Sequence, residues 1–289
     1  MYLDYGWVTS IDAEPSSLEF HVIVAIFCQL SILSAVGLLA LAQRQLLSRF
    51  VLISPWLFAA VYLNGKRYIF AILVILLWIL VAQRGFFKRF NTLITGLILF
   101  LVLAFFSFGY QIFVRELRDY SEIYQNARID YGRDAVVKMT IYAELHPTRM
   151  EILDYRGESL IFWSTLIVPR ELWPDKPYPY SQYFTSAMLF ISPRILGWGM
   201  TTSWLEEAIA NFSWFGFLLG PLLPALICRI GDVRNDRFVR MLSVLVATLF
   251  LTVQLAAFAS IAAVWVLMVC WAWLLKKRQT EVQEPVIAQ

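Results

Sequence analysis

The sequence predicts an all-α fold: a polytopic membrane bundle of about seven transmembrane helices with one large, partly helical external loop. Hydrophobic residues make up 60% of the chain, charged residues only 16%, and the mean hydropathy is +0.65. Apolar runs recur along the chain, and one long polar stretch separates two groups of them. The formal net charge of +3 is too small to indicate a nucleic-acid partner.

The transmembrane helices are predicted from the apolar runs, taken at a rise of about 1.5 Å per residue. These runs occupy 20–42, 50–63, 68–82, 92–113, 208–228 and 241–275. The last run is long enough for two short spans joined by a tight turn near Ser260. The runs therefore predict seven spans.

The orientation follows from the short loops rich in lysine and arginine, which stay in the cytoplasm. These loops are 44–49, 84–91, 229–240 and 276–289. With them inside, the N-terminus lies outside and the C-terminus lies in the cytoplasm. The predicted regions are a four-helix membrane region (1–113), an external loop region with interfacial helices (114–204), a three-helix membrane region (205–276) and a cytoplasmic tail (277–289).

Two cations, Lys66 and Arg67, are the exception to this orientation, because they fall on the outer face between two short predicted helices. One explanation is snorkelling of long side chains from the helix ends. Another is that 50–83 does not form two spans. A functional explanation is a binding role, because the long external loop lies on the same face.

The stretch VPRELWPDKP, at 168–177, predicts a stiff external loop, because proline fixes φ and removes a hydrogen-bond donor. It carries Arg170, Trp173 and Lys176, a combination that suits an anionic or sugar-bearing headgroup. The alternative is a proline-rich connector whose charges face water. The aromatic residues that follow, Tyr178 and Tyr180 among them, form either an interfacial belt or stacking faces for sugar rings.

Short helices are predicted on both sides of this loop. A helix near 135–145 ends at the break His146-Pro147, and the apolar stretch 160–168 is too short to span and predicts an interfacial or re-entrant helix. Ser203 followed by Glu206 predicts a capping box at the start of the next helix. Glu207 then remains as a carboxylate without a structural task, at a helix start whose N–H groups favour phosphate.

Two motifs resemble one known family. YRGESL at 155–160 with VPRELWPDKP, and SWLEEAIANFSWFG at 203–216, are similar to the bacterial O-antigen and oligosaccharide repeat-unit polymerases of the Wzy type. The similarity covers roughly 150–220 and extends to the short outer turn with Arg67. Glu206-Glu207 stands where that family usually has Gly-Glu, Ser213 stands where a glycine is common, and family members are usually longer.

The resemblance implies a metal-independent membrane glycosyltransferase without a cofactor. It would transfer a glycan from undecaprenyl diphosphate to a hydroxyl of another lipid-linked repeat unit, outside the inner membrane of a bacterium. Arginine and lysine side chains would stabilise the departing diphosphate. The candidates are Arg67, Lys66, Arg170, Lys176 and Arg156, with Arg149 and Arg194 as further choices.

The acceptor hydroxyl needs a base, and the candidates are Glu207, Glu158 and His146. The candidates for sugar binding are Trp173, Tyr178 and Tyr180. No Asp-x-Asp pattern stands near the loop, so the cations take the role that a metal has in other transferases. The expected partners are the lipid-linked oligosaccharide, membrane lipid and a protein that regulates chain length.

Three alternatives remain open on the sequence. A ligase would use the same donor and a different acceptor. A transporter of lipid-linked sugars would place charges inside its spans and show repeated halves, and neither feature is found in this sequence. A structural membrane subunit would leave Lys66, Arg67 and Glu207 unexplained.

Overall fold

The structure is a computed structural model. The residues that it describes are helical or irregular, and no strand is found among them. The described residues are 15–41, 46–64, 67–85, 92–113, 119, 121–125, 133–166, 168–196, 199–234 and 236–283. The predicted all-α fold is therefore confirmed for this part of the chain.

The helices follow the predicted order closely. They are α1 (Pro15–Leu41), α2 (Leu46–Asn64), α3 (Arg67–Gln83), α4 (Thr92–Phe113), α5 (Arg133–Leu145), α6 (Glu158–Ser164), α7 (Tyr180–Leu189), α8 (Trp204–Phe212), α9 (Gly216–Val233), α10 (Arg237–Thr252) and α11 (Ala259–Gln283). Short 3-10 helices occupy Ser213–Phe215 and Leu255–Phe258. Helices α1 to α6 begin and end within a few residues of the predicted bounds, because apolar runs and Pro or Gly breaks are local signals.

Three segments are long and apolar enough to cross a membrane, which is a property of a membrane protein. By length and composition they are Val24–Leu41, Leu255–Leu274 and Trp204–Val233, and the last of these is divided by a 3-10 helix at Ser213–Phe215. Two shorter apolar helices cover Tyr68–Gln83 and Leu93–Gly109. Much of the α4 surface is exposed and apolar, including Leu93 and Phe105, as expected for a helix that faces lipid.

The prediction of one continuous helix over 208–228 is wrong, because the chain reverses direction after α8. Ser213 has φ 56°, in the left-handed region, and it begins the 3-10 helix that leads into α9. Helix α9 then packs antiparallel to α8. The Trp204 indole donates to the Leu219 carbonyl at 3.3 Å, and a Cβ at Gly216 would overlap the Ala208 carbonyl oxygen. Sequence periodicity does not reveal this reversal, because both arms are apolar.

Helices α10 and α11 form a second antiparallel hairpin, with its break at Leu255–Phe258, just before the predicted turn at Ser260. The Trp265 indole donates to Ser243 Oγ at 2.8 Å across the two arms. Gln29 of α1 donates to the Ala257 carbonyl at 2.7 Å and so ties the turn to the N-terminal helices. Buried aliphatic residues of α1, α3 and α10 form the main core around this hairpin.

A second, smaller core holds the segment between α4 and α9 together. We use the name polar lobe for residues 133–166, residues 168–196 and helix α8. Its core contains Tyr180, Tyr183 and Phe184 of α7, packed against Ala143 and Ile152. Helix α7 is not predicted from the sequence, although its aromatic residues recur at helical spacing, because Pro177 and Pro179 before it mark the region as a loop.

Candidate functional site

The loop 168–177 is braced from within by Arg170. Its guanidinium donates to the carbonyls of Lys176 (2.6 Å), Pro177 (3.0 Å) and Pro174 (3.2 Å). The same group lies 4.0 Å from the centre of the Tyr178 ring. A planar guanidinium with several fixed donors suits this task, because the prolines leave carbonyls that no backbone N–H satisfies.

Lys176 points into the lobe and is only 6% exposed. Its ammonium donates to the carbonyls of Val168 at 2.9 Å and Leu166 at 3.3 Å, and it lies 5.1 Å from the Phe162 ring centre. Burial lowers the pKa of Lys176, and the charge of nearby Arg170 lowers it further. The loop therefore uses both cations to fold back against the end of α6.

Glu207 of α8 is the centre of a buried hydrogen-bond cluster and is 2% exposed. Its Oε1 accepts from Ser159 Oγ and from the Trp163 indole, each at 2.7 Å. Asn211, one turn later on α8, donates to Ser159 Oγ at 2.8 Å and accepts from the Gly157 backbone N–H at 3.0 Å. These hydrogen bonds attach α6 to α8, and we call them the α6–α8 cluster.

Glu158 opens α6 and is buried beside the α6–α8 cluster. It accepts from the Tyr183 hydroxyl at 2.5 Å and from the Asp154 backbone N–H at 3.0 Å. The Tyr183 hydroxyl in turn accepts from the Tyr178 backbone N–H at 3.2 Å. Burial and the hydrogen bond to Glu158 raise the pKa of Tyr183. The hydroxyl therefore keeps its proton and donates a hydrogen bond to the Glu158 carboxylate.

Glu206 forms the predicted capping box and is fully buried. Its Oε2 accepts from the Ser203 backbone N–H at 2.9 Å and from the Ser203 hydroxyl, while its Oε1 has no hydrogen-bond partner. Glu158, Glu206 and Glu207 are all buried, and no ion pair to any of them is found within the described part of the chain. Buried carboxylates without a cation are costly, so these three mark a specialised region.

A cavity of about 250 Å³ opens next to this region, between the end of α5, the segment 150–156 and α8. Its polar lining includes Glu144, Glu151, Asp154 and Arg156, and Tyr155 completes the wall. Arg156 pairs with Glu144 at 2.7 Å, and Glu144 also accepts from the Ser213 hydroxyl at the reversal after α8. A concave site with a few convergent polar groups is the usual form of a small-ligand site.

The other predicted site residues are placed elsewhere. Lys66 lies outside the described residues, and Arg67 is the first residue of α3, with its side chain also outside the described part. His146 is exposed and stacks on Tyr142 at 4.4 Å, and it does not line the cavity. Tyr180 is 1% exposed and bonds Thr140 at 2.8 Å, so neither face of its ring is open here.

The remaining predicted residues lie on the surface. Trp173 and Arg149 are exposed. The Arg170 guanidinium covers one face of the Tyr178 ring. Arg194 pairs with Asp175 at 3.3 Å. The structure thus brings Arg170 and Lys176 of the loop 168–177 together with Tyr178, and it buries Glu158 beside the α6–α8 cluster that contains Glu207. It links the two groups through the Tyr178 and Tyr183 contacts.

Several site residues escape sequence reasoning, namely Ser159, Asn211, Tyr183 and Glu144. Asn211 carries the clearest signal, because it stands four residues after Glu207 and so on the same helix face. Ser159 and Tyr183 carry no such signal, because their partners are distant in sequence.

No group of histidine, cysteine, aspartate or glutamate side chains that could hold a metal ion is found among the described residues. Searches of protein-family models, curated proteins and solved structures find no match to this chain.

Proposed function

We propose that the chain is a membrane glycosyltransferase that polymerises lipid-linked oligosaccharide repeat units. In this proposal the chain forms a seven-span bundle in a bacterial inner membrane, with the N-terminus outside and the C-terminus in the cytoplasm. The donor is a glycan on undecaprenyl diphosphate, and the acceptor is a sugar hydroxyl of another lipid-linked unit.

One observation supports this proposal above the others. The two segments that resemble the polymerase family are far apart in sequence, yet they meet through hydrogen bonds of Asn211 and Glu207 with Gly157 and Ser159. The cavity opens beside that contact, with Ala210 in its wall. A ligand site next to two motif segments is consistent with a shared task for both motifs.

The proposed reaction begins when an acceptor hydroxyl oxygen attacks the anomeric carbon of the donor sugar. The bond from that carbon to the diphosphate oxygen breaks, and the lipid diphosphate leaves with the bonding electron pair. Lys66 and Arg67 are the proposed partners of its negative charge, because the loop carbonyls occupy much of the donor capacity of Arg170 and Lys176.

The hydroxyl proton passes to a base that must lie within hydrogen-bond reach. Glu207 and Glu158 are buried and hydrogen-bonded, so in this arrangement they serve as positioning residues. We assign the base to Asp154, which lines the cavity and whose backbone N–H is fixed by Glu158. Glu207 is the alternative base if the cavity deepens when substrate binds.

The test uses the purified full chain in proteoliposomes with lipid-linked repeat units from the source organism. A ladder of lipid-linked products is expected, and Asp154→Asn is expected to slow its formation by about 100-fold or more. Glu151→Gln is the matched control, because it neutralises another carboxylate of the cavity and should change the rate only a few-fold. An equal loss in Glu207→Gln, with Asp154→Asn unaffected, would move the base to Glu207.

The same assay separates the alternatives. A single transfer to a different acceptor without a ladder would indicate a ligase. Movement of the lipid-linked sugar across the bilayer without a new glycosidic bond would indicate a transporter. Neither product nor movement, from folded protein supplied with its own repeat units, would contradict the proposal.

A further inference from the structure

The end of α7 and two neighbouring loops of the polar lobe carry exposed apolar side chains. Leu172 is 79% exposed, Phe190 89% and Ile195 78%. Trp173, Leu189 and Ile191 beside them are also exposed. We call this surface the apolar rim, and its members are Leu172, Trp173, Leu189, Phe190, Ile191 and Ile195.

The two loops are held together and against α7. Arg194 pairs with Asp175 at 3.3 Å, which places the loop after α7 next to the loop 168–177. Gln182 of α7 donates to the Pro193 carbonyl at 2.8 Å, and the Ser186 hydroxyl donates to the Ile191 carbonyl at 2.5 Å. The rim is therefore presented by a fixed part of the lobe.

Phe190 shows that the rim is unusual. It ends α7 with φ 55° and ψ 37°, the left-handed conformation, in which glycine or asparagine is the usual residue. A bulky residue is strained there, and its side chain, which is 89% exposed, gains little packing from the described part of the chain. An outlier of this kind points to a contact outside the chain that offsets the strain.

A lipid bilayer best explains what the exposed side chain of Phe190 and the rest of the apolar rim would contact. From the rim the chain runs in nine residues from Ile195 to Trp204, which packs edge-on against Phe250 and bonds α9, part of a candidate membrane segment. At about 3.4 Å per extended residue, the rim lies within roughly 30 Å of that contact. A mixture of aliphatic, indole and phenyl side chains, a few residues along the chain from a candidate membrane segment, is typical of an interfacial surface.

The charged side chains near the rim indicate that the rim would bind a bilayer through its apolar side chains. Arg194 and Asp175 are exposed and pair with each other, and Glu171 nearby is also exposed. This arrangement offers little attraction to anionic lipid, so apolar burial has to supply the binding energy. We propose that the apolar rim inserts into the boundary between headgroups and acyl chains of the bilayer that anchors the chain, and so seats the polar lobe on the membrane surface.

This inference does not depend on the proposed enzymatic function, because it concerns only the position of the lobe. It is tested on the full chain in proteoliposomes of neutral lipid, in a background with Cys28, Cys228 and Cys270 replaced by alanine. Spin labels are attached at Phe190→Cys and, separately, at Leu172→Cys and Ile195→Cys. Glu151→Cys is the matched control, an exposed cavity position in the same lobe.

Collision rates with oxygen, which concentrates in lipid, and with a water-soluble nickel chelate report the depth of each label. The rim labels are expected to favour oxygen over the chelate several-fold relative to the Glu151 label, and adding anionic lipid should leave that ratio unchanged. Chelate accessibility equal to that of the control at all three rim positions would overturn the proposal. Protection from both reagents would also overturn it, in favour of a protein partner such as a second copy.

Discussion

Asn211 Oδ1 accepts a 3.0 Å hydrogen bond from the backbone N–H of Gly157, a residue 54 positions earlier in the chain. Gly157 has φ 90°, which suits a residue without a Cβ, and it directly precedes the first residue of α6. The side-chain amide of one helix therefore binds the residue that directly precedes another. This contact fixes where Ser159 and Trp163 stand relative to Glu207.

Replacing Asn211 should give a pH-dependent loss of stability. Asn211→Asp keeps an acceptor but removes the donors to Ser159 and to the Glu207 carbonyl, and it adds a buried negative charge near Glu207. We expect a loss of about 3 kcal/mol in the free energy of unfolding at neutral pH.

The sign of the pH dependence follows from linkage. Burial near a carboxylate raises the folded-state pKa of the new aspartate above its unfolded value of about 3.9, so the variant is stabilised as pH falls through that folded-state pKa. Thermal unfolding in detergent across pH 5 to 8 measures this. Asn211→Ala is the control and should lose stability without acquiring the extra dependence on pH.

Removing the Tyr183 hydroxyl should leave Glu158 Oε1 and the Tyr178 backbone N–H without the hydrogen bonds that they make to it. Tyr183→Phe deprives Glu158 of a donor and the Tyr178 N–H of an acceptor while keeping the ring in the core. We expect a loss of about 1–3 kcal/mol, seen as a lower unfolding temperature in detergent. Tyr142→Phe, at a partly exposed ring that stacks on His146, is the control and should change the stability by less than about 0.5 kcal/mol.

A methyl group at Gly216 should prevent α8 and α9 from closing. The added Cβ would overlap the Ala208 carbonyl oxygen and Ile209 Cα, which are backbone atoms that cannot move independently. Gly216→Ala should lower the yield of folded protein or destabilise it by about 3 kcal/mol or more. Gly96→Ala in α4 has open space around it and should be neutral or gain up to about 1 kcal/mol, because alanine favours helix. Equal behaviour of the two variants in gel filtration and thermal unfolding would contradict the hairpin.

Arg170 should be irreplaceable by lysine within the loop. A lysine cannot reproduce the planar fork that bonds the carbonyls of Pro174, Lys176 and Pro177, so Arg170→Lys should loosen the loop. Cleavage after Glu171 by a glutamate-specific protease is expected to become several-fold faster. Arg149→Lys, at an exposed position, is the control and should leave the cleavage rate unchanged. A rate that stays at the parent value in Arg170→Lys would argue that the prolines alone hold the loop.

Local features of the sequence determined much of the fold. Apolar runs gave the helices α1 to α4 nearly at their observed bounds, and the Ser203–Glu206 pair predicted the start of α8. These predictions work because helix periodicity, caps and breaks act between residues a few positions apart. The sequence also singled out Glu158, Glu207, Arg170 and Lys176 as polar residues in unusual settings.

Tertiary structure decided what those residues contact. The sequence predicted that Arg170 and Lys176 bind a headgroup, whereas in the structure many of their N–H groups donate to loop carbonyls. Glu207 meets Ser159 and Trp163 because α8 packs against α6, which lies more than 40 residues earlier in the chain. Hydrophobicity and periodicity determine that a segment is a helix, but the direction of the next helix depends on a backbone reversal and on packing between distant residues, which no local pattern encodes.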